Sequence, residues 1–161
     1  MIKKFNLFFL TLLNIGKIKY APGTIASLLT CLLFLFLINI FNTLTLFFCT
    51  FLIFCYSFIA INNSFDIFDK NDPQEIVIDE VVGQMLPLLA IPVYETLYLV
   101  PKAYYCVAAF LLFRLFDIWK PFPINYVDNN TKGALGIMLD DIIAGTFTIF
   151  ILAIVFFFLG G

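Results

Sequence analysis

The stretch Gly133-Ala134-Leu135-Gly136-Ile137-Met138-Leu139-Asp140-Asp141-Ile142-Ile143-Ala144-Gly145 sets two adjacent carboxylates inside what otherwise reads as the opening of a membrane-crossing helix. From Ile142 to Leu159 the chain carries no charge. An ionised Asp at membrane depth costs roughly 2.5–3.5 kcal/mol at a helix centre and less near its ends. Something must offset that cost, and a divalent cation is the natural candidate. The flanking glycines have a spacing that lets another backbone approach closely.

The surrounding composition supports a membrane setting. Of 161 residues, 63% are hydrophobic and only 12% charged, more apolar surface than one soluble domain of this size could bury. The chain reads as a single membrane-embedded domain, 1–161, with an interfacial arm at 1–20. Net charge is −2, which gives no reason to expect nucleic acid. Cys31, Cys49, Cys55 and Cys106 lie in apolar runs without metal-ligand spacing and read as small buried hydrophobes. The chain has no histidine, which excludes Ser-His-Asp triads and imidazole metal sites. Any chemistry must run on carboxylates, Lys, Arg, hydroxyls and backbone.

The expected fold is all-α: a small multi-pass transmembrane bundle of about five hydrophobic helices plus an interfacial N-terminal helix. Met1 to Leu13 has the basic start of a signal peptide, but Gly16-Lys17-Ile18-Lys19-Tyr20 follows in place of a cleavage site. The expected spans are 24–42, 44–61, 81–99 (kinked by Pro87 and Pro92), 103–119 and 135–159, with Thr24 capping the first. Residues 127–131 read as a polar loop. Five spans with tight turns at Asn42-Thr43 and Pro101-Lys102 put the N-terminal arm, 62–80 and 119–133 on one side. That side holds Lys3, Lys4, Lys17, Lys19, Lys70, Lys120 and Lys132, against Lys102 on the other, so it is expected to be cytoplasmic.

Three clusters meet on this face: Asp79-Glu80 opening the third span, Arg114-x-x-Asp117-x-x-Lys120 closing the fourth, and Asp140-Asp141 in the fifth. Carboxylates from different helices suit Mg²⁺, which takes oxygen ligands and commonly shares them with substrate phosphate. The plainer alternative pairs each acid with a nearby base, such as Asp117 with Arg114 three residues away. Asp66 to Asp72 resembles a calcium loop but lacks its Gly and distal Glu. A transporter with acids along a cation path is a rival reading, although such acids would be spread in depth rather than gathered at one face. A non-catalytic scaffold would need no such clustering.

The runs 21–27 (APGTIAS), 76–83 (IVIDEVVG), 113–124 (FRLFDIWKPFPI) and 133–145 (GALGIMLDDIIAG) together resemble the phosphatidylglycerophosphatase A family of bacterial membrane lipid phosphatases. The resemblance covers nearly the whole chain after the arm, with Ala26 where the family pattern has a second glycine. It implies Mg²⁺-dependent hydrolysis of phosphatidylglycerol phosphate to phosphatidylglycerol and inorganic phosphate, at the cytoplasmic face of the inner membrane. On this reading Asp79, Glu80, Asp140 and Asp141 hold the metal, and Asp117 is a further ligand or orients the attacking water. Arg114 and Lys120 neutralise phosphate charge, and the amides near Gly23 and Thr24 add to the anion site. A phosphatase of another lipid phosphomonoester is the alternative enzyme.

Overall fold

The computed structural model describes residues 2–64 and 74–159, so the calcium-loop-like segment lies outside the described residues. All regular structure among them is helical. The helices are α1 (Ile2–Leu10), α2 (Pro22–Leu37), α3 (Thr43–Ser64), α4 (Ile78–Leu88), α5 (Ile91–Tyr98), α6 (Lys102–Trp119), α7 (Ile124–Asn130) and α8 (Gly133–Leu159), with a short 3₁₀ turn at Ile15–Lys17. The expected all-α bundle is the one found.

Three stretches are long and apolar enough to cross a membrane: Thr43–Ser64, Ile78–Tyr98 and Gly133–Phe158. The other two expected spans differ. Helix α2 has 16 residues, about 24 Å at 1.5 Å per residue and short of a ~30 Å hydrocarbon core. Helix α6 is long enough at 18 residues but carries Lys102, Arg114 and Asp117. Both lend their charged or polar ends to the site, which explains why they look less like lipid-crossing segments. Outward faces of α3 and α8 show Phe47, Phe48, Phe51, Leu52, Phe150, Ile154 and Phe157. A surface so apolar requires lipid rather than water.

Several Ser and Thr hydroxyls within these apolar helices are satisfied by their own backbone one turn back. Ser27 Oγ donates to the Gly23 carbonyl at 2.9 Å, Thr50 Oγ1 to Leu46 at 2.9 Å, and Thr148 Oγ1 to Ala144 at 2.8 Å. The kink expected in the third span lies at Leu89 and Ala90, between α4 and α5, where both residues keep right-handed helical angles. Pro92 sits in the first turn of α5 and has no N–H to continue the ladder from α4. Thr24 does not cap α2: the helix starts at Pro22, after Ala21 in the left-handed conformation. The expected loop at 127–131 is mostly helix α7, which packs on α8. Cys31 and Cys106 are buried as expected, whereas Cys49 and Cys55 are exposed on α3.

Helix α1, nine residues long, is too short to cross a membrane. It lies on α3, where Tyr56 Oη donates to Asn6 Oδ1 at 2.8 Å and Phe9 meets Tyr56 edge-on at 4.9 Å. The Val77 amide donates to the Leu10 carbonyl at 3.0 Å, which ties the arm to the start of α4.

Helices α4 and α8 form the central contact, and glycine makes it close. A Cβ on Gly83 would lie 2.7 Å from the Asp141 carbonyl oxygen, 2.8 Å from Phe113 Cε2 and 2.9 Å from Asp141 Cβ. A Cβ on Gly145 would collide with the Gly83 carbonyl. Small residues at such crossings let the backbones touch. The result brings Asp141 on α8 against the first turns of α4.

Candidate active site

Four helix ends meet around a cavity of about 390 Å³. The start of α2 contributes Gly23 and Thr24, and the first turn of α4 contributes Asp79 and Glu80. The last turns of α6 bring Arg114 and Asp117, Lys120 follows at its end, and α8 supplies Asp140 and Asp141. Every residue singled out from the sequence therefore borders one space. Lys19 and Gln74, which the sequence reading did not select, border it too.

The carboxylates divide into two kinds. One oxygen each from Asp79, Glu80 and Asp141 lies within 4.8 Å of the others, a spacing that one cation could bridge. Asp79 Oδ1, Glu80 Oε2 and Asp141 Oδ1 are buried and accept no hydrogen bond. A buried carboxylate oxygen without a donor is costly, typically ~1–3 kcal/mol and more for a charged group. Three carboxyl groups this close, each with a buried oxygen that accepts no hydrogen bond, are a donor set that a hard divalent cation fits. Asp140 differs: its Oδ1 accepts the Asp141 amide at 3.1 Å and its Oδ2 accepts from Lys120 Nζ at 2.8 Å.

Lys120 sits between two acids, bonding Asp128 Oδ1 at 2.7 Å as well as Asp140. Burial works against its charge, but these bonds outweigh burial and hold the ammonium above its ordinary pKa. Lys120 closes α6 with a left-handed φ of 46°, which turns the chain toward α7. Asp128 is the partner the sequence reading missed, since it lay within the stretch 127–131 taken as a polar loop. Its signal was present: Pro123 opens a short run with Ile124 and Val127 three apart on one helical face.

Arg114 Nη1 forms an ion pair with Asp117 Oδ2 at 2.5 Å, within one helix face, without the angles of a hydrogen bond. Both side chains are mostly buried, 14% and 15% exposed, so the pair is less screened than a surface bridge. Arg114 Nε has no acceptor. Gly23 is the reason α2 can come this close. Any Cβ there would collide with Glu80 Oε1 and stand 3.3 Å from Arg114 Nη1.

Unpartnered acids beside an Arg and a Lys, at the end of an apolar helical bundle, form a cluster with the chemistry to hold a cation and an anion together. The family is equally definite. Residues 8–156 match the family model described as phosphatidylglycerophosphatase A, and the chain belongs to that family of phosphatases. A protein of Haemophilus influenzae named phosphatidylglycerophosphatase A is 34% identical over 136 residues, covering 84% of this chain and 79% of its own length. An Escherichia coli protein of the same name is 40% identical over 75 residues, covering 47% of this chain and 40% of its own. A Bacteroides thetaiotaomicron protein, provisionally named phosphatidylinositol-3-phosphatase, is 34% identical over 142 residues and 86% of each chain. No solved structure matches the chain.

Proposed function

We propose that this chain hydrolyses phosphatidylglycerol phosphate to phosphatidylglycerol and inorganic phosphate, with Mg²⁺ held by Asp79, Glu80 and Asp141. The observation that carries the reading is the group of three carboxylates with one oxygen each within 4.8 Å of the others, each also holding a buried oxygen without a hydrogen-bond partner, in the cavity that Arg114 and Lys120 border. When bound, the ion would supply Lewis-acid stabilisation of charge on the phosphate oxygens. Arg114 and Lys120 bind the remaining phosphate charge in a site preorganised by Asp117, Asp128 and Asp140. Asp140 serves chiefly to place Lys120. Asp117 orients the water whose oxygen bonds phosphorus as the P–O bond to the lipid alcohol breaks, and the proton the water gives up ends on the leaving alcohol oxygen. The amides near Gly23 and Thr24 lie at a helix start, where they favour an anion. The basic residues on the site's side support a cytoplasmic active face in a bacterial inner membrane.

The Bacteroides relative's name supports a second substrate, phosphatidylinositol 3-phosphate. The two candidates share a phosphatidyl group joined to a polyol that carries a phosphomonoester. Phosphate release from both lipids by the purified protein in detergent separates them. Chelation is expected to abolish release and added Mg²⁺ to restore it. Asp141→Asn is expected to lower kcat at least ~100-fold with the protein still inserted in the membrane, as for loss of a major electrostatic group. Full activity in chelator, or in Asp141→Asn, refutes the metal role.

A further inference from the structure

Beside the reaction cavity lies a second chamber of about 210 Å³. It shares Asp79 and Asp140 with the first and adds Asp128, Asn129, Thr131 and Lys132. A molecule whose phosphomonoester sits by Asp79 can therefore extend into it. We propose that this chamber is the subsite for the linker of the substrate headgroup, its polyol lying against the acids and its internal phosphodiester on Lys132. The inference rests on the substrate class proposed above, and it assigns Lys132 a role in choosing among lipid phosphomonoesters.

The chemistry of the walls carries the assignment. Asp128 spends Oδ1 on Lys120, and its Oδ2 takes no hydrogen bond among the described residues. Such an oxygen accepts from a hydroxyl but repels an anion unless the charge is balanced. Lys120 bonds both Asp128 and Asp140 and offsets one of their two charges, so polyol hydroxyls meet acceptors there in a field that Lys120 reduces. The anion belongs at Lys132, the one cation among the described residues that line this chamber. Among the described residues Arg114 is paired to Asp117, Lys120 to two acids and Lys102 to Glu95, while Lys132 has no carboxylate in ion-pair range. Lys19, the other cation at the site without such a partner, lies over the Tyr20 ring and borders the first cavity only. Lys132 also precedes Gly133, whose φ of 72° turns the chain into α8. The positive end of that helix adds to the Lys132 charge.

Size agrees. Three carbons and two ester oxygens separate the phosphorus atoms of a glycerol bisphosphate headgroup, a reach on the order of 6–7 Å from single bonds of ~1.5 Å. A compact space of 210 Å³ is about as wide, roughly 7 Å across.

The test compares two diacyl lipids that each carry one phosphomonoester: phosphatidylglycerol phosphate, where it sits on the headgroup glycerol beyond the internal diester, and phosphatidate, where it sits directly on diacylglycerol. The kcat/KM ratio between them is measured for wild type, Lys132→Met and Lys132→Arg. Lys132→Met is expected to lower the preference for the diester lipid at least ~10-fold through KM, and Lys132→Arg to keep most of it. Equal losses on both lipids, or none, overturn the assignment. Binding of glycerophosphoglycerol, a diester with no monoester to cleave, gives a readout free of catalysis. Wild type should bind it and Lys132→Met at least ~10-fold more weakly; no binding by wild type also overturns the subsite. If wild type binds this probe through Lys132 yet hydrolyses neither lipid, the subsite stands and the proposed reaction falls.

Discussion

Replacing Gly83 with alanine tests whether close backbone packing, rather than the carboxylates alone, makes the site. The added Cβ would sit 2.7 Å from the Asp141 carbonyl oxygen, where ordinary contact begins at 3.4 Å, so the helices must part by about 0.7 Å (3.4 − 2.7). The neighbours offer little relief, since Phe113 Cε2 and Asp141 Cβ stand within 2.9 Å on the same side and Phe113 is fully buried. Overpacking of this kind costs about 1–3 kcal/mol, which a membrane bundle can survive. Function should suffer more than stability. Asp141 is carried on the displaced backbone while Asp79 and Glu80 move with α4, so the gap opens across the cation-binding trio itself. Misplacement of about 1 Å costs on the order of 100-fold in rate. A 0.7 Å opening is therefore expected to lower kcat/KM about 30-fold and to raise the Mg²⁺ concentration needed for half-maximal rate. The assay is phosphate release against a Mg²⁺ titration, with thermal unfolding in detergent on the same sample. Wild-type rate and metal dependence in a folded Gly83→Ala protein would refute the argument that this crossing sets the ligand spacing.

Two further outcomes test other parts of the structure. Lys120→Met leaves Asp128 and Asp140 without their shared partner and should raise KM for the lipid phosphate and lower kcat, each by about tenfold. Asp128→Asn should do less, and the double variant should fall short of the summed effects by about 1 kcal/mol, because both changes break one network; strict additivity would show that Asp128 does not act through Lys120. At the far end of the bundle, Glu95→Gln removes a bridge to Lys102 that is 3.6 Å long, with 34% and 46% of the two side chains exposed. Such pairs are worth about 0–1 kcal/mol, so activity should stay within about twofold; a large loss would place function at that end as well.

How much of this was legible beforehand depended on the kind of signal. Long uncharged runs announced α3 and α8, because lipid selects apolar length directly and needs no knowledge of partners. The two expected spans that fall short in length or exceed in charge, α2 and α6, are helices that each bring one end to the site. Helix α2 ends at Leu37, five residues before the expected end at Asn42, while Arg114, Asp117 and Lys102 make α6 too charged to read as purely lipid-crossing. Parity of tight turns was enough to predict that Asp79, Asp117 and Asp140 would share one end, since a chain crossing and recrossing leaves few arrangements. What it could not predict was the division of labour among the acids. Asp140 and Asp141 are neighbours of the same type in one helix, about 100° apart around its axis. That rotation alone sends Asp140 toward Lys120 and Asp141 toward Gly83 and the α4 acids. Asp128 was hidden for a related reason: its role depends on the turn at Lys120, where a left-handed residue brings α7 back over the site. One sequence offers adjacent carboxylates as equivalents. The fold leaves one without hydrogen-bond donors, where a cation fits, and gives the other a lysine to hold, which makes Asp141→Asn and Asp140→Asn different experiments.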